Sequence, residues 1–125
     1  MELVTDADGN PAPRLGEVTL SAATARLYHE FLIRQVVRML CIGLIHGDLS
    51  EFNVLLTADG PVIIDFPQVV AAARNSRSEQ FFRRDLGNLV RFFSNLDPSL
   101  KRHEGDASEI WRAYTKRDLH PEFVP

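Results

Sequence analysis

His46-Gly47-Asp48-Leu49-Ser50-Glu51-Phe52-Asn53, followed at the end of Val62-Ile63-Ile64 by Asp65, is the stretch on which the reading of this chain turns. Three short β-like pieces surround it: Leu44-Ile45, Val54-Leu55-Leu56 and Val62-Ile63-Ile64. Each has a polar neighbour that a half-buried hairpin does not need. Asp48 follows the first, Asn53 precedes the second and Asp65 terminates the third. The last two pieces are joined by Thr57-Ala58-Asp59-Gly60, whose Asp-Gly pair favours a tight turn. An Asp or Asn at a strand end, taken singly, is most often a turn former or a helix cap. Three of them around one hairpin make a rarer pattern, and that pattern carries chemistry.

Working outward, Ser21 is placed to cap a helix over 22–41, and Gly43 offers its stop. Leu27, Phe31, Val36 or Val37, and Leu40 recur at near-helical spacing and are expected inward, with Arg26, Glu30, Arg34 and Arg38 on the wet face. A second helix is expected over 78–95, burying Phe81, Phe82, Leu86, Leu89, Val90 and Phe93 and ending at Asp97-Pro98. A third is expected over 105–115, with Trp111 and Tyr114 packing inward, and the tail 119–125 reads as a loose terminus. The Thr5-to-Pro13 stretch, rich in Asp, Gly, Asn and Pro, reads as turns.

The spacing of Asp48 and Asn53, five positions apart, is that of a kinase catalytic loop, and Asp65 falls where a metal-binding Asp follows the next hairpin. The chemistry explains the residue types. Transfer of a γ-phosphoryl group needs positioning and charge neutralisation more than covalent work by the protein. Mg²⁺ is hard and takes oxygen ligands, so a carboxylate and an amide oxygen hold it against phosphates. A second carboxylate orients or deprotonates the acceptor hydroxyl. Asn53 and Asp65 suit the first task and Asp48 the second, while His46 reads as a packing and hydrogen-bonding residue beneath the loop.

At these residues the sequence resembles the RIO family of atypical protein kinases. His46 to Asn53 reads like its catalytic loop (46–53), and Ile64-Asp65-Phe66-Pro67-Gln68 like its metal-binding loop (64–68). Phe81-Phe82-Arg83-Arg84-Asp85 and the aromatic-rich helix to Phe93 match its layout, and Met1-Glu2-Leu3-Val4 looks like the hinge between lobes (1–4). The resemblance implies an α+β fold: a protein-kinase-like C-terminal lobe over 1–125, mainly helical, with short hairpins carrying the two loops. It implies ATP and Mg²⁺ (or Mn²⁺) as cofactors and transfer to Ser or Thr of a protein substrate, autophosphorylation, or an ATPase cycle. Asp48 becomes the catalytic Asp, Asn53 and Asp65 the metal ligands, and the backbone of Glu2 and Val4 the adenine-facing edge. The family's metal-binding Asp is also thought to accept the phosphoryl group, which makes Asp65 a candidate covalent acceptor. Association with the small ribosomal subunit follows by the same analogy.

Departures bear on activity. No Gly-rich phosphate loop is present, and the only lysines, Lys101 and Lys116, lie after Asp65. The N-terminal lobe with its phosphate-binding Lys is therefore expected outside this chain, which by itself is expected not to turn over ATP. Two other classes compete. Small-molecule kinases of the aminoglycoside or choline phosphotransferase type share a His-Gly-Asp-Leu loop, although Ser50-Glu51-Phe52 and Pro67-Gln68 favour the RIO reading. A non-catalytic lobe that docks on a ribosome or protein is the other. In the RIO-lobe reading, the face that meets the other lobe is expected to be apolar and to favour an oligomer partner.

Two features of the supporting helix stay open. Asp85 stands either on a solvated face among Arg83, Arg84 and Arg91, or inward against the His46-Gly47-Asp48 turn. Arg74, Arg77, Arg83 and Arg84 form a basic cluster that reads as solvated surface rather than as a site for phosphate or RNA.

Bulk composition sets outer bounds. The 125 residues fit one domain, with 45% hydrophobic and 25% charged residues. A net charge of −3 carries no footprint for non-specific nucleic-acid binding. The single Cys41 excludes an intramolecular disulfide and sits in an apolar run that suits core packing. No apolar stretch approaches a membrane span, and the polar start is unlike a signal peptide, so a cytoplasmic protein with no membrane contact is expected.

Overall fold

Ser21 starts the first helix. Its backbone is extended and its Oγ accepts the Thr24 N–H at 3.2 Å, which satisfies one of the donors a helix start leaves unpaired. The helix, α1 (Ala22–Cys41), covers the span its sequence predicts. It stops at Gly43, whose φ of +82° is the left-handed conformation glycine adopts without strain and whose N–H is donated to Leu40 O at 2.9 Å. The computed structural model describes residues 12–64, the backbone of 70–71, and residues 77–125.

The inward face of α1 differs from the expected one. Ala25, His29, Leu32, Ile33, Val36, Val37 and Leu40 are buried, whereas Leu27 is 65% and Phe31 43% exposed. A polar-counted histidine occupies the buried stripe, so a hydrophobicity count places the stripe out of phase. Leu27 and Phe31 stand two residues beyond Ala25 and His29, about 200° around the helix at its 3.6-residue period. The wet face is as expected, with Arg26, Glu30, Arg34 and Arg38 all exposed.

After α1 come β1 (Leu44–Ile45), β2 (Val54–Thr57) and β3 (Gly60–Ile63). β2 and β3 pair antiparallel from Val54↔Ile63 to Thr57↔Gly60, so Ala58 and Asp59 make the turn. Gly60, with φ +112°, opens β3 instead of sitting inside the turn as an Asp-Gly pair would have it. Thr57 accounts for the difference: its Oγ1 accepts the Asp59 N–H at 3.1 Å and donates to Gly60 O at 2.9 Å. The hairpin is held on two sides. Leu56 N–H donates to Pro13 O at 2.9 Å, and Gln35 on α1 donates from Nε2 to Pro61 O at 3.2 Å. β1 pairs with β4 (Val70–Ala71), a partner that the sequence reading does not supply.

Two further helices complete the α+β architecture: α2 (Ser78–Leu96) and α3 (Asp106–Thr115), joined through a 3₁₀ stretch, Pro98–Gly105. Asp97 ends α2 and begins that stretch, its Oδ1 accepting Ser99 N–H at 3.1 Å ahead of a proline that cannot continue the helix hydrogen bonding. The core lies where α1, α2 and α3 converge, with Leu32, Leu40, Phe82, Leu89, Phe93 and Ile110 essentially inaccessible to water. Phe81 is only half-buried, and Trp111 and Tyr114 pack at the edge of the core. The C-terminal tail also departs from expectation: Leu119 and Phe123 pack against the core.

Candidate active site

Asp85 organises the loop between β1 and β2. It stands on the inward face of α2, 2% exposed. Its two carboxylate oxygens take one backbone donor each, Gly47 N–H at 2.8 Å on Oδ2 and Leu49 N–H at 3.0 Å on Oδ1. Burial pushes the Asp85 carboxyl above its usual range. The Leu49 and Gly47 N–H groups, and then the nearby His46 and Arg84, work against that rise. Of the two placements open from the sequence, the inward one holds.

Two more side chains of α2 reach the same loop. Asn88 donates from Nδ2 to Leu49 O at 3.0 Å, and the Arg84 guanidinium donates to Gly47 O while lying 5.2 Å from the Phe81 ring centroid. Gly47 and Leu49 are thus held through both their N–H and C=O groups. Sequence reasoning missed Arg84 and Asn88 in this role. The one available signal is the spacing of Asn88, three residues after Asp85 and four after Arg84, since residues three and four apart share a helix face.

His46 lies beneath the loop, 3% exposed. Its Nδ1 accepts Asp48 N–H at 3.2 Å, which puts the ring proton on Nε2, 2.9 Å from Ile64 O. It is a structural residue, as the sequence predicts. Asn53 meets the same backbone from the other side: its carbonyl accepts Ile64 N–H at 2.7 Å. The 46–53 loop is therefore hydrogen-bonded to both backbone polar groups of Ile64, the residue that precedes Asp65.

The Asp48 side chain is exposed, while the amides on either side of it are fixed. Asn53 ends a short 3₁₀ turn, Glu51–Asn53, capped by Ser50, whose Oγ accepts Phe52 N–H at 3.2 Å and donates to Asn53 Oδ1 at 3.1 Å. Of the predicted site residues, Asp48 and Asn53 share this loop. Glu2, Val4 and Asp65 lie outside the described residues, as does Arg74 of the basic cluster. Arg83 is engaged at the surface with Glu79 at 3.0 Å and Ser108 at 2.7 Å.

The donor chemistry fits a magnesium ion. Of the two residues expected to hold it, Asn53 presents Oδ1, a hard oxygen donor with two lone pairs of which the Ser50 hydroxyl uses one, and Asp65 lies outside the described residues. Among the described residues no group of three or more His, Cys, Asp or Glu side chains forms a cage. Magnesium held mainly by phosphates and water needs only one or two protein ligands.

Comparison with known proteins gives this loop a family. A family model described as the RIO domain matches residues 1–105. The chain is 38% identical over 86 residues to the RIO-type serine/threonine-protein kinase Rio2 of Methanocaldococcus jannaschii, an alignment covering 68% of this chain and 32% of that protein. It is 39% identical over 87 residues to the serine/threonine-protein kinase RIO1 of Homo sapiens, covering 69% of this chain and 15% of that protein. In structure it is similar to a Rio2 kinase–ADP/Mg²⁺–phosphoaspartate complex from Chaetomium thermophilum, with a TM-score of 0.57, 26% identity, and coverage of 86% of this chain and 43% of that one. The chain thus spans about a third or less of the length of these two curated relatives. With the matching model extending over 105 of the 125 residues, the chain belongs to the RIO domain family.

Proposed function

We propose that this chain forms the catalytic and metal-binding C-terminal lobe of a RIO-type serine/threonine kinase or ATPase, with 1–4 as hinge, 46–53 as catalytic loop and 64–68 as metal-binding loop. The observation that carries the reading is the grip of Asp85 on Gly47 and Leu49, which holds the backbone around an exposed Asp48. An acceptor-orienting carboxylate needs a fixed backbone and an open side chain together, because small misplacements cost large factors in rate. Membership in the family and the kinase names of the relatives support the same reading.

In this reading Asp48 Oδ takes the hydrogen bond, and then the proton, of the acceptor hydroxyl. Asn53 Oδ1 and the Asp65 carboxylate hold Mg²⁺, which when bound neutralises charge on the phosphates of ATP. The Chaetomium complex contains ADP, Mg²⁺ and a phosphoaspartate, and this supports the choice of cofactor and of Asp65 as a candidate acceptor. In that version an Asp65 carboxylate oxygen forms a bond to the γ-phosphorus of ATP, the bridging P–O bond breaks, and ADP leaves with the electron pair.

The test is phosphoryl transfer from radiolabelled ATP with Mg²⁺ by the parent protein that contains this chain. Asp48→Asn is expected to lower transfer by about a hundredfold or more, with thermal stability unchanged because the side chain is exposed. Asn53→Ala is expected to raise the Mg²⁺ requirement. Hydroxylamine-labile label that disappears in Asp65→Asn identifies an acyl phosphate at that residue. Unimpaired transfer by Asp48→Asn would overturn the assignment.

A further inference from the structure

A groove runs along α2, with the Pro98–Gly105 stretch and α3 as its opposite wall. It encloses about 450 Å³, within the range of ligand sites. Its lining on α2 extends from Arg83 to Asn95, a rise of twelve residues, or roughly 18 Å of helix. That length suits an extended chain of about five residues at about 3.3 Å each.

Gly87 stands midway along this wall, about 200° round the helix from Asp85. It is exposed, and no atom lies within 4 Å of the place a Cβ would take, so internal packing does not require a glycine there. Glycine inside a helix is less stable than alanine, and one of its uses is to let a ligand approach the backbone closely. Val90 and Ala107, 6% and 9% exposed, line the groove with it. The alkyl stems of Arg83 and Arg91 add apolar surface on either side.

The charges narrow the ligand. The Arg83 guanidinium is already engaged, pairing with Glu79 at 3.0 Å and donating to Ser108 Oγ at 2.7 Å, which ties α2 to α3. Arg91 and Lys101 are exposed and make no ion pair among the described residues. Arg91 reaches only the neutral Asn88 Oδ1, at 3.4 Å. Among the described residues the lining holds one carboxylate, Glu104, and no Phe, Tyr or Trp. Two free cations against one carboxylate leave a single positive charge, enough for one acidic side chain and too little for a run of phosphodiesters. Without an aromatic platform the groove also lacks what stacks nucleic-acid bases. Asn95, exposed at one end, presents an amide that can pair with peptide N–H and C=O groups. Gly87 and Arg91 are about 6 Å apart along α2, and residues i and i+2 of an extended chain, about 6.6 Å apart, point to one side.

We propose that this groove docks an extended segment of a partner protein carrying an apolar and an acidic residue two positions apart, the apolar side chain filling the gap at Gly87 and the carboxylate accepting from Arg91 and Lys101. The inference is independent of the phosphoryl-transfer reading, because it uses none of the residues that hold the 46–53 loop.

The test is titration of the full chain with the peptide acetyl-Gly-Leu-Ala-Glu-Gly-amide, followed by NMR of backbone amides. Saturable shifts are expected across 87–95 and 101–107. The same peptide with Gln for Glu is expected to bind about tenfold more weakly, as is the Glu peptide to the double variant Arg91→Glu, Lys101→Glu, since charge-assisted hydrogen bonds are lost in each case. A peptide with Lys for Glu is expected to bind that double variant more tightly than it binds the parent chain. Both substituted residues are exposed, so the variant keeps the fold, and its unchanged spectrum away from the groove verifies that. Gly87→Leu, which puts a side chain into open space, is expected to block the peptide. Absence of saturable shifts along 87–95 overturns the proposal. So does a Gln peptide that binds as tightly as the Glu peptide, or unchanged affinity in the double variant. Pentauridylate shifting the same amides at lower concentration than the Glu peptide would overturn it in favour of an RNA groove.

Discussion

The carboxylate of Asp85 accepts the Gly47 N–H at 2.8 Å and the Leu49 N–H at 3.0 Å, so one buried side chain of α2 grips the loop on both sides of Asp48. The Asp48 side chain is exposed, and the one that fixes its backbone is in the core.

Replacing Asp85 by Ala strands two N–H groups inside the protein. Buried unpaired donors and lost charged hydrogen bonds set the expected cost at about 2–4 kcal/mol, read from urea unfolding. Asp85→Asn keeps one acceptor oxygen and is expected to lose less. Amide exchange at Gly47 and Leu49 should speed up in both variants; unchanged exchange there would mean that the loop is held by something else.

His29 makes the fold acid-sensitive. Its pKa is lowered from 6.5 to about 4, first by burial and then by the nearby His103 and Arg102. Because the folded value lies below the unfolded one, the stabilising contribution is fully present above pH 6.5 and is lost as pH falls toward and through 4. The whole contribution is on the order of 3 kcal/mol. Unfolding free energy measured between pH 7 and 4 should therefore fall less steeply in His29→Phe than in the parent chain. Parallel slopes would remove His29 as the cause.

Ser21→Ala deletes the side-chain acceptor for Thr24 N–H and should cost about 1 kcal/mol. Ser21→Gly, which leaves the extended backbone accessible, is expected to cost only a few tenths of that. Equal losses for the two would show that the hydroxyl contributes through something other than capping.

Gly43→Ala tests backbone strain without crowding. The residue has φ +82° and no atom within 4 Å of the place a Cβ would take, so the left-handed conformation alone sets the cost. About 1 kcal/mol is expected from chemical denaturation. A neutral result would mean that the turn relaxes to another conformation.

What the sequence determines by itself here is mostly local. Ser21 and Gly43 delimit α1, Pro98 stops α2, and the bounds of β1, β2 and β3 come close to those the apolar runs suggest. These features depend on groups within a few residues of one another, and the chemistry of caps, turns and missing N–H groups is visible in the chain itself. The spacing of Asp48 and Asn53 belongs to the same class, since one loop carries both.

The tertiary structure decided the rest. Whether Asp85 points inward depends on donors 36 and 38 residues away in sequence, and Asn88 and Arg84 join it through contacts of the same long range. The pairing of β1 with β4 is another such contact. The face that α1 buries was set by its neighbours too. His29 is accommodated among Phe93 and His103, so the buried stripe runs through a residue that hydrophobicity counts as polar. Burial is a property of what the rest of the chain brings up against a residue, which is why Leu27 and Phe31 lie outside, and His29 and Asp85 inside.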